Sequence, residues 1–148
     1  MAKTYYEAIR KEKHFKRIET VSAVKPGDII AIRYRPGDAE NRDHNTGHIM
    51  LVVTSPERRN PSPPRVEETQ QWEIRIIDQS RSGHGPADTR HRPGRKELSG
   101  LGEGVLRIYA RIDGTIAGYS WSTLKNSEYH DRAERDILIG RFQPTSDK

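Results

Sequence analysis

The stretch Gly47-His48-Ile49-Met50-Leu51-Val52-Val53 decides the reading of this chain. A glycine relaxes the backbone, a histidine follows, and the chain then turns continuously apolar. A run this short and this branched predicts a buried β-strand rather than a helix. His48 therefore stands at the start of a core strand, held rigidly but near its rim. A second stretch, Trp72-Glu73-Ile74-Arg75-Ile76-Ile77-Asp78, sets Trp72, Ile74 and Ile76 on one face and Glu73 and Arg75 on the other. It ends in a carboxylate and runs into Gln79-Ser80-Arg81-Ser82-Gly83-His84-Gly85. Antiparallel pairing sets the start of the first strand beside the end of the second, so His48 and Asp78 meet at one edge. A carboxylate orienting an imidazole is the supporting half of a nucleophilic triad.

Composition bounds the rest. A chain of 148 residues suits one domain with one core, small here because apolar and charged residues each make up 32%. No apolar run approaches the roughly 18 residues of a membrane span. The start, Met1-Ala2-Lys3-Thr4-Tyr5-Tyr6, lacks the apolar segment of a signal peptide, and compartment is otherwise unspecified. With no cysteine, the chain makes no disulfide, thiolate metal site or cysteine nucleophile of its own. The net charge of +5, carried by 18 arginines and 8 lysines, favours anionic partners, since the guanidinium fork suits carboxylates and phosphates.

Read in order, Thr4-Tyr5-Tyr6-Glu7 has capping-box spacing and predicts a helix from about Tyr5 to Ile18 within a helical lead-in over 1–24. The turn Lys25-Pro26-Gly27-Asp28 then launches a strand over Ile29–Arg35. A polar loop from Pro36 to Thr46, including Asp43, leads to the His48 strand. Ser55 to Val66, with four prolines, reads as an extended and mobile connection. Gln79 to Gly104 reads as a long loop, with Gly100, Gly102 and Gly104 as its hinge, because they lack the strand and helix that flank a phosphate loop. Val105–Ile112 is a strand, Asp113-Gly114 a hairpin turn, and Thr115–Trp121 its partner. Ser122 to Arg135 reads as polar with one irregular helical turn, and Ile137–Phe142 as a last strand before a disordered tail at 143–148. The expected fold is α+β, a single domain with one N-terminal helix packed on a curved antiparallel sheet or partial barrel of about six strands over 25–142.

Pro26-Gly27-Asp28-Ile29, then Gly47-His48-Ile49-Met50, then Ile77-Asp78-Gln79-Ser80, resemble in type and order the strand motifs of the NlpC/P60 superfamily of papain-like cysteine peptidases and amidases. Asp78 to Arg90 also resembles a bacterial subgroup of such proteins. The resemblance covers about a third of the chain. It implies a hydrolase acting on peptides or cell-wall-like amides, with His48 as general base and Asp78 its orienter. The family's cysteine sits at a helix N-terminus upstream of the Pro-Gly-Asp strand, where the helix dipole lowers a thiol's pKa. No cysteine stands there in this chain, so no thiol-dependent turnover is expected from it.

Each feature also has a plainer role. His48 reads equally as an edge histidine bonded to a loop carbonyl, and Asp78 as the cap of its following turn. His44-x3-His48 runs through a loop into a strand, not along one helix face, so no metal is expected, nor any other cofactor. Arg81, His84, Arg90, Arg92 and Arg95 make the long loop a positive rim able to hold an anionic ligand, which gives a second reading as a non-catalytic binding module. On that reading, alanine at Arg90, Arg92 and Arg95 together removes anion binding and costs no more than about 1 kcal/mol of stability. Nucleic acid is not expected, because Tyr34, Tyr109, Tyr119 and Trp121 read as core rather than as stacking platforms.

Overall fold

The computed structural model describes residues 1–38, 40–42 and 44–145. The loop reading of Asp43 and the tail reading of 146–148 lie outside the described residues. Among the described residues the chain builds one α-helix, α1 (Ala2–Arg10), a short 3-10 helix at Val21–Ala23, and strands β1 (Phe15–Ile18), β2 (Ile29–Arg33), β3 (Gly47–Val52), β4 (Glu57–Arg58), β5 (Thr69–Ser80), β6 (Gly100–Arg111), β7 (Ile116–Ser120), β8 (Tyr129–Asp131) and β9 (Ile137–Phe142). The strands form one antiparallel sheet in the order β1-β9-β2-β3-β5-β6-β7-β8, with β4 pairing β5. No described helix is long and apolar enough to cross a membrane.

The expected helix over 5–18 divides in two. Tyr6 and Ile9 bury one face of α1 against Ala31 and Leu138. The next helical turn would need apolar residues at 12 and 13, and Glu12 and Lys13 stand there. The chain turns instead, with Glu12 and His14 at positive φ, and Phe15–Ile18 pairs with β9. Thr4 is not the cap. It lies inside α1, whose N-cap is Met1 without a side-chain bond. The polar stretch after Ser122 holds β8 and then one irregular helical turn, in which the Arg135 amide donates to the Asp131 carbonyl at 2.9 Å.

The other face of the sheet carries the main core. Ile30 and Ile32 of β2, Met50 and Val52 of β3, Ile74 and Ile76 of β5 and Leu106 and Ile108 of β6 all point into it. Ile18, Ile116 and Tyr119 join from near the two ends of the sheet, and a bridge between Thr20 and Thr115 links those ends. The hairpin at Asp113-Gly114 stands where the sequence sets it, with Asp113 Oδ1 accepting from the Thr115 amide at 2.9 Å.

The proline-rich connection is pinned rather than loose. β4 pairs with β5, and Gln71 Nε2 donates to the Ser62 carbonyl at 2.7 Å. Fully buried Arg107 donates to the Pro63 carbonyl at 2.9 Å and the Leu124 carbonyl at 2.9 Å. The supposed hinge glycines are also strand. β5 and β6 pair over twelve residues each, from Thr69↔Arg111 to Ser80↔Gly100, so the loop between them shrinks to 81–99.

Candidate functional site

Strand alternation carries His48 to the core-facing side of β3, in phase with Met50 and Val52, while Ile49 packs toward α1. Asp78 follows Ile74 and Ile76 on the same side of β5. The β3–β5 ladder runs through Leu51↔Ile77 and Val52↔Ile76, and just past it the two functional side chains meet. His48 Nε2 lies 2.6 Å from Asp78 Oδ2.

Asp78 is the hub of a larger buried cluster. Its Oδ2 also lies 2.9 Å from His84 Nε2, and its Oδ1 accepts from Arg90 Nη2 at 2.7 Å. Arg90 is in turn gripped by Asp88, Nε to Oδ1 at 2.8 Å and Nη2 to Oδ2 at 2.8 Å, and its Nη1 donates to the Gly100 carbonyl at 3.0 Å. Asp88 further accepts from the His84 and Arg90 amides. Burial pushes the Asp78 carboxyl up, but the hydrogen bonds from His48, His84 and Arg90 outweigh it and hold the group well below the usual carboxylate range. Asp88 is held low in the same way, burial opposing and Arg90 prevailing.

An ionised Asp78 only accepts, so His48 donates through Nε2–H. Its Nδ1 has no hydrogen-bond partner among the described residues. His84 Nδ1 lies 2.6 Å from the Trp121 carbonyl, which also only accepts. The Trp121 ring stacks on His84 at 4.0 Å between centroids and meets His48 edge-on at 4.9 Å. Both imidazoles are thereby fixed in rotation.

The glycines explain how a loop can bury an arginine. A Cβ at Gly102 would sit 2.5 Å from Arg90 Nε, and one at Gly104 would collide with Asp88 Oδ2. Bare backbone at these alternate positions of β6 lets the 81–99 loop lie flat on the strand. Their spacing of two was the sequence signal for this, and a hinge was the wrong reading of it.

His48 and Trp121 also line a cavity of about 880 Å³, whose other walls include Tyr34, Arg81, Tyr119 and Arg135. Burial, with Glu40 adding to it, pushes the Tyr34 phenol up to about 12, and burial raises Tyr119 as well, so both stay protonated donors at neutral pH. Arg135 is paired with Glu40 at 2.9 Å.

The structure thus brings His48, Asp78, His84 and Arg90 into one cluster and sets Arg81 on the neighbouring cavity. Arg92 and Arg95 stand apart, exposed on the loop. His84 and Arg90 do not belong to an exposed anion rim. Both are buried, and their polar atoms are committed to Asp78, Asp88 and backbone carbonyls. Asp88, Trp121 and the cavity tyrosines were not among the sequence candidates, because aromatics on strands and a lone loop Asp carry no functional signature. Replacing Arg92 and Arg95 together with alanine is expected to leave stability within about 0.5 kcal/mol, as chemical denaturation will read.

This is an antiparallel-sheet protein with a His–Asp pair braced from behind by an arginine and a second histidine. No family model matches the chain, and no solved structure matches it. It is similar to an uncharacterised protein of Acanthamoeba polyphaga mimivirus, 39% identical over 148 residues. That match takes in 96% of this chain and 63% of the relative, so the chain spans under two thirds of the relative's length.

Proposed function

We propose that this chain carries the general-base half of an acyl-transfer site of the NlpC/P60 type, on a sheet curved into a partial barrel like the β-half of that superfamily. The observation that carries the reading is the His48–Asp78 bond of 2.6 Å, which leaves Nδ1 as the basic atom beside a large cavity. A base oriented by a carboxylate is what activation of a thiol or hydroxyl, or of water, requires. The substrate class is a peptide or cell-wall-like amide. Without a cysteine the chain does not carry out the thiol chemistry itself, and the attacking group comes from elsewhere.

A pair of assays tests this. With peptide and cell-wall substrates, the chain is expected to show no cleavage that an alkylating reagent abolishes. With an activated ester that needs only a base, it is expected to accelerate hydrolysis modestly, and His48→Ala is expected to remove that acceleration. The variant loses one of the three side chains bonded to Asp78 and stays folded, at a cost of about 1–2 kcal/mol. Ester turnover unchanged by His48→Ala removes the base from the proposal. Amide cleavage that resists alkylation yet needs His48 assigns the attack to a hydroxyl instead.

The second reading is a binding module, and one observation favours it. Exposed Arg81 and Arg42 line the same cavity as His48, giving it cationic walls suited to a carboxylate. Saturable binding of a carboxylate that Arg81→Ala weakens, with no His48-dependent turnover, would select this reading over the first.

A further inference from the structure

A second cavity, of about 520 Å³, is built from different residues. Tyr6 of α1, Arg33 and Arg35 around the end of β2, Arg111 at the end of β6, and Arg132 and Asp136 before β9 all line it. Four guanidiniums share this groove with two carboxylates, and both carboxylates are engaged. Asp136 Oδ2 accepts from the Tyr6 hydroxyl at 2.5 Å and its Oδ1 from Arg132 Nε at 2.9 Å. Asp131 accepts from the Tyr129 hydroxyl and the Ala133 amide. Arg35 Nη2 donates to the Ala133 carbonyl at 2.6 Å, and Arg33 lies over the Tyr6 ring, 5.5 Å from its centroid.

Arg33, Arg35 and Arg111 consequently have no carboxylate partner among the described residues, and all three are exposed. Their backbones are nonetheless firmly held. The Arg33 amide donates to the Asp136 carbonyl at 3.0 Å, and the Arg111 amide to the Thr115 carbonyl at 2.8 Å. The opposite wall is fixed by the Arg132 amide, which donates to the Ala117 carbonyl at 2.9 Å. Like charges gathered on a rigid frame repel one another, and an anion in the groove relieves that repulsion. One carboxylate matches one guanidinium fork. Four guanidiniums against two carboxylates leave the groove a surplus of two positive charges, which matches a tetrahedral dianion with three acceptor oxygens. The volume exceeds a bare phosphate and leaves room for an organic part.

We infer that this groove is a binding site for a phosphate monoester, separate from the His48 cavity. The test is an amide-shift titration of the wild-type chain at low salt with inorganic phosphate, ribose 5-phosphate and acetate. Both phosphates are expected to move the amides of Arg33, Arg111 and Thr115 saturably, the sugar phosphate more tightly, and acetate at least about 10-fold more weakly. Raising salt is expected to weaken the binding. Arg33→Gln with Arg111→Gln is expected to lower phosphate affinity at least about 10-fold, and Arg92→Gln with Arg95→Gln to leave it unchanged. No saturable shift by about 10 mM phosphate, shifts confined to the His48 cavity, or acetate binding as well as phosphate would each overturn the inference. The wild-type titration stands whether or not the variants fold.

Discussion

Arg90→Ala is expected to lower the stability of this protein by about 3–5 kcal/mol, although Arg90 lies in a glycine- and proline-rich loop. The side chain is 2% exposed and is paired with two carboxylates whose side chains are fully buried. Its removal leaves Asp78 and Asp88 buried with only imidazoles and amides to meet them, the costly way to break a buried pair. The triple alanine variant at Arg90, Arg92 and Arg95 therefore cannot stay within about 1 kcal/mol of the parent, and nearly all of its loss belongs to Arg90. The pH dependence separates this from simple loss of packing. Asp78 and Asp88 have folded pKa values below their unfolded ones, so they add stability above the unfolded carboxylate range, near pH 4, and that stability is lost as pH falls through the folded values. In the variant Asp88 loses the guanidinium that outweighs its burial, while Asp78 keeps His48 and His84, so Asp88 above all protonates more readily in the folded state. Denaturation of the parent and the variant at pH 7 and near pH 4 is expected to show the gap between them narrowing in acid. A gap that is the same at both values would mean that Arg90 acts by volume alone.

Arg107→Ala is expected to cost about 3 kcal/mol and to act at a distance in sequence. Arg107 is 0% exposed and has no carboxylate within reach among the described residues. Its charge is dispersed over carbonyls and a hydroxyl, those of Ser62, Pro63, Ser122 and Leu124, with the Tyr109 ring 5.6 Å away. Truncation strips partners from several buried acceptors at once, each of which then bears its desolvation cost. The 55–66 segment is held by these bonds and by Gln71, so protease sensitivity there is expected to rise well before global unfolding. Arg107→Met restores volume without donors and is expected to remain as sensitive as the alanine variant. Protection by methionine would show that packing, not hydrogen bonding, pins the segment.

The His48–Asp78 pair was legible because strand phase is a rigid rule. Two apolar runs with a polar residue at adjoining ends leave little freedom once they pair. The hairpin at Asp113-Gly114 was legible for the same local reason. α1 and β1 were fused because the charged turn at Lys11–His14 resembles the solvated face of a longer helix. The extension of β6 through Gly100–Gly104 was illegible because glycine is a poor strand former. What makes it strand is a loop from elsewhere in the chain resting on it. The burial of Arg90 and Arg107 was hidden for a related reason. Arginine reads as surface, and the partners that allow burial lie on segments that only the folded sheet assembles.

The brace behind Asp78 has a consequence for how this protein can drift over generations. Asp78, Asp88 and Arg90, with the bare backbone at Gly102 and Gly104, hold the sheet to its loop whether or not any bond is ever cleaved. Selection for a folded chain is enough to keep them, and they are expected to change only together. Among the described residues the His48 side chain is hydrogen-bonded to that scaffold at one point, Asp78. A lineage that needs only the fold is free to lose His48 first, and a lineage that retains it does so for what the imidazole does.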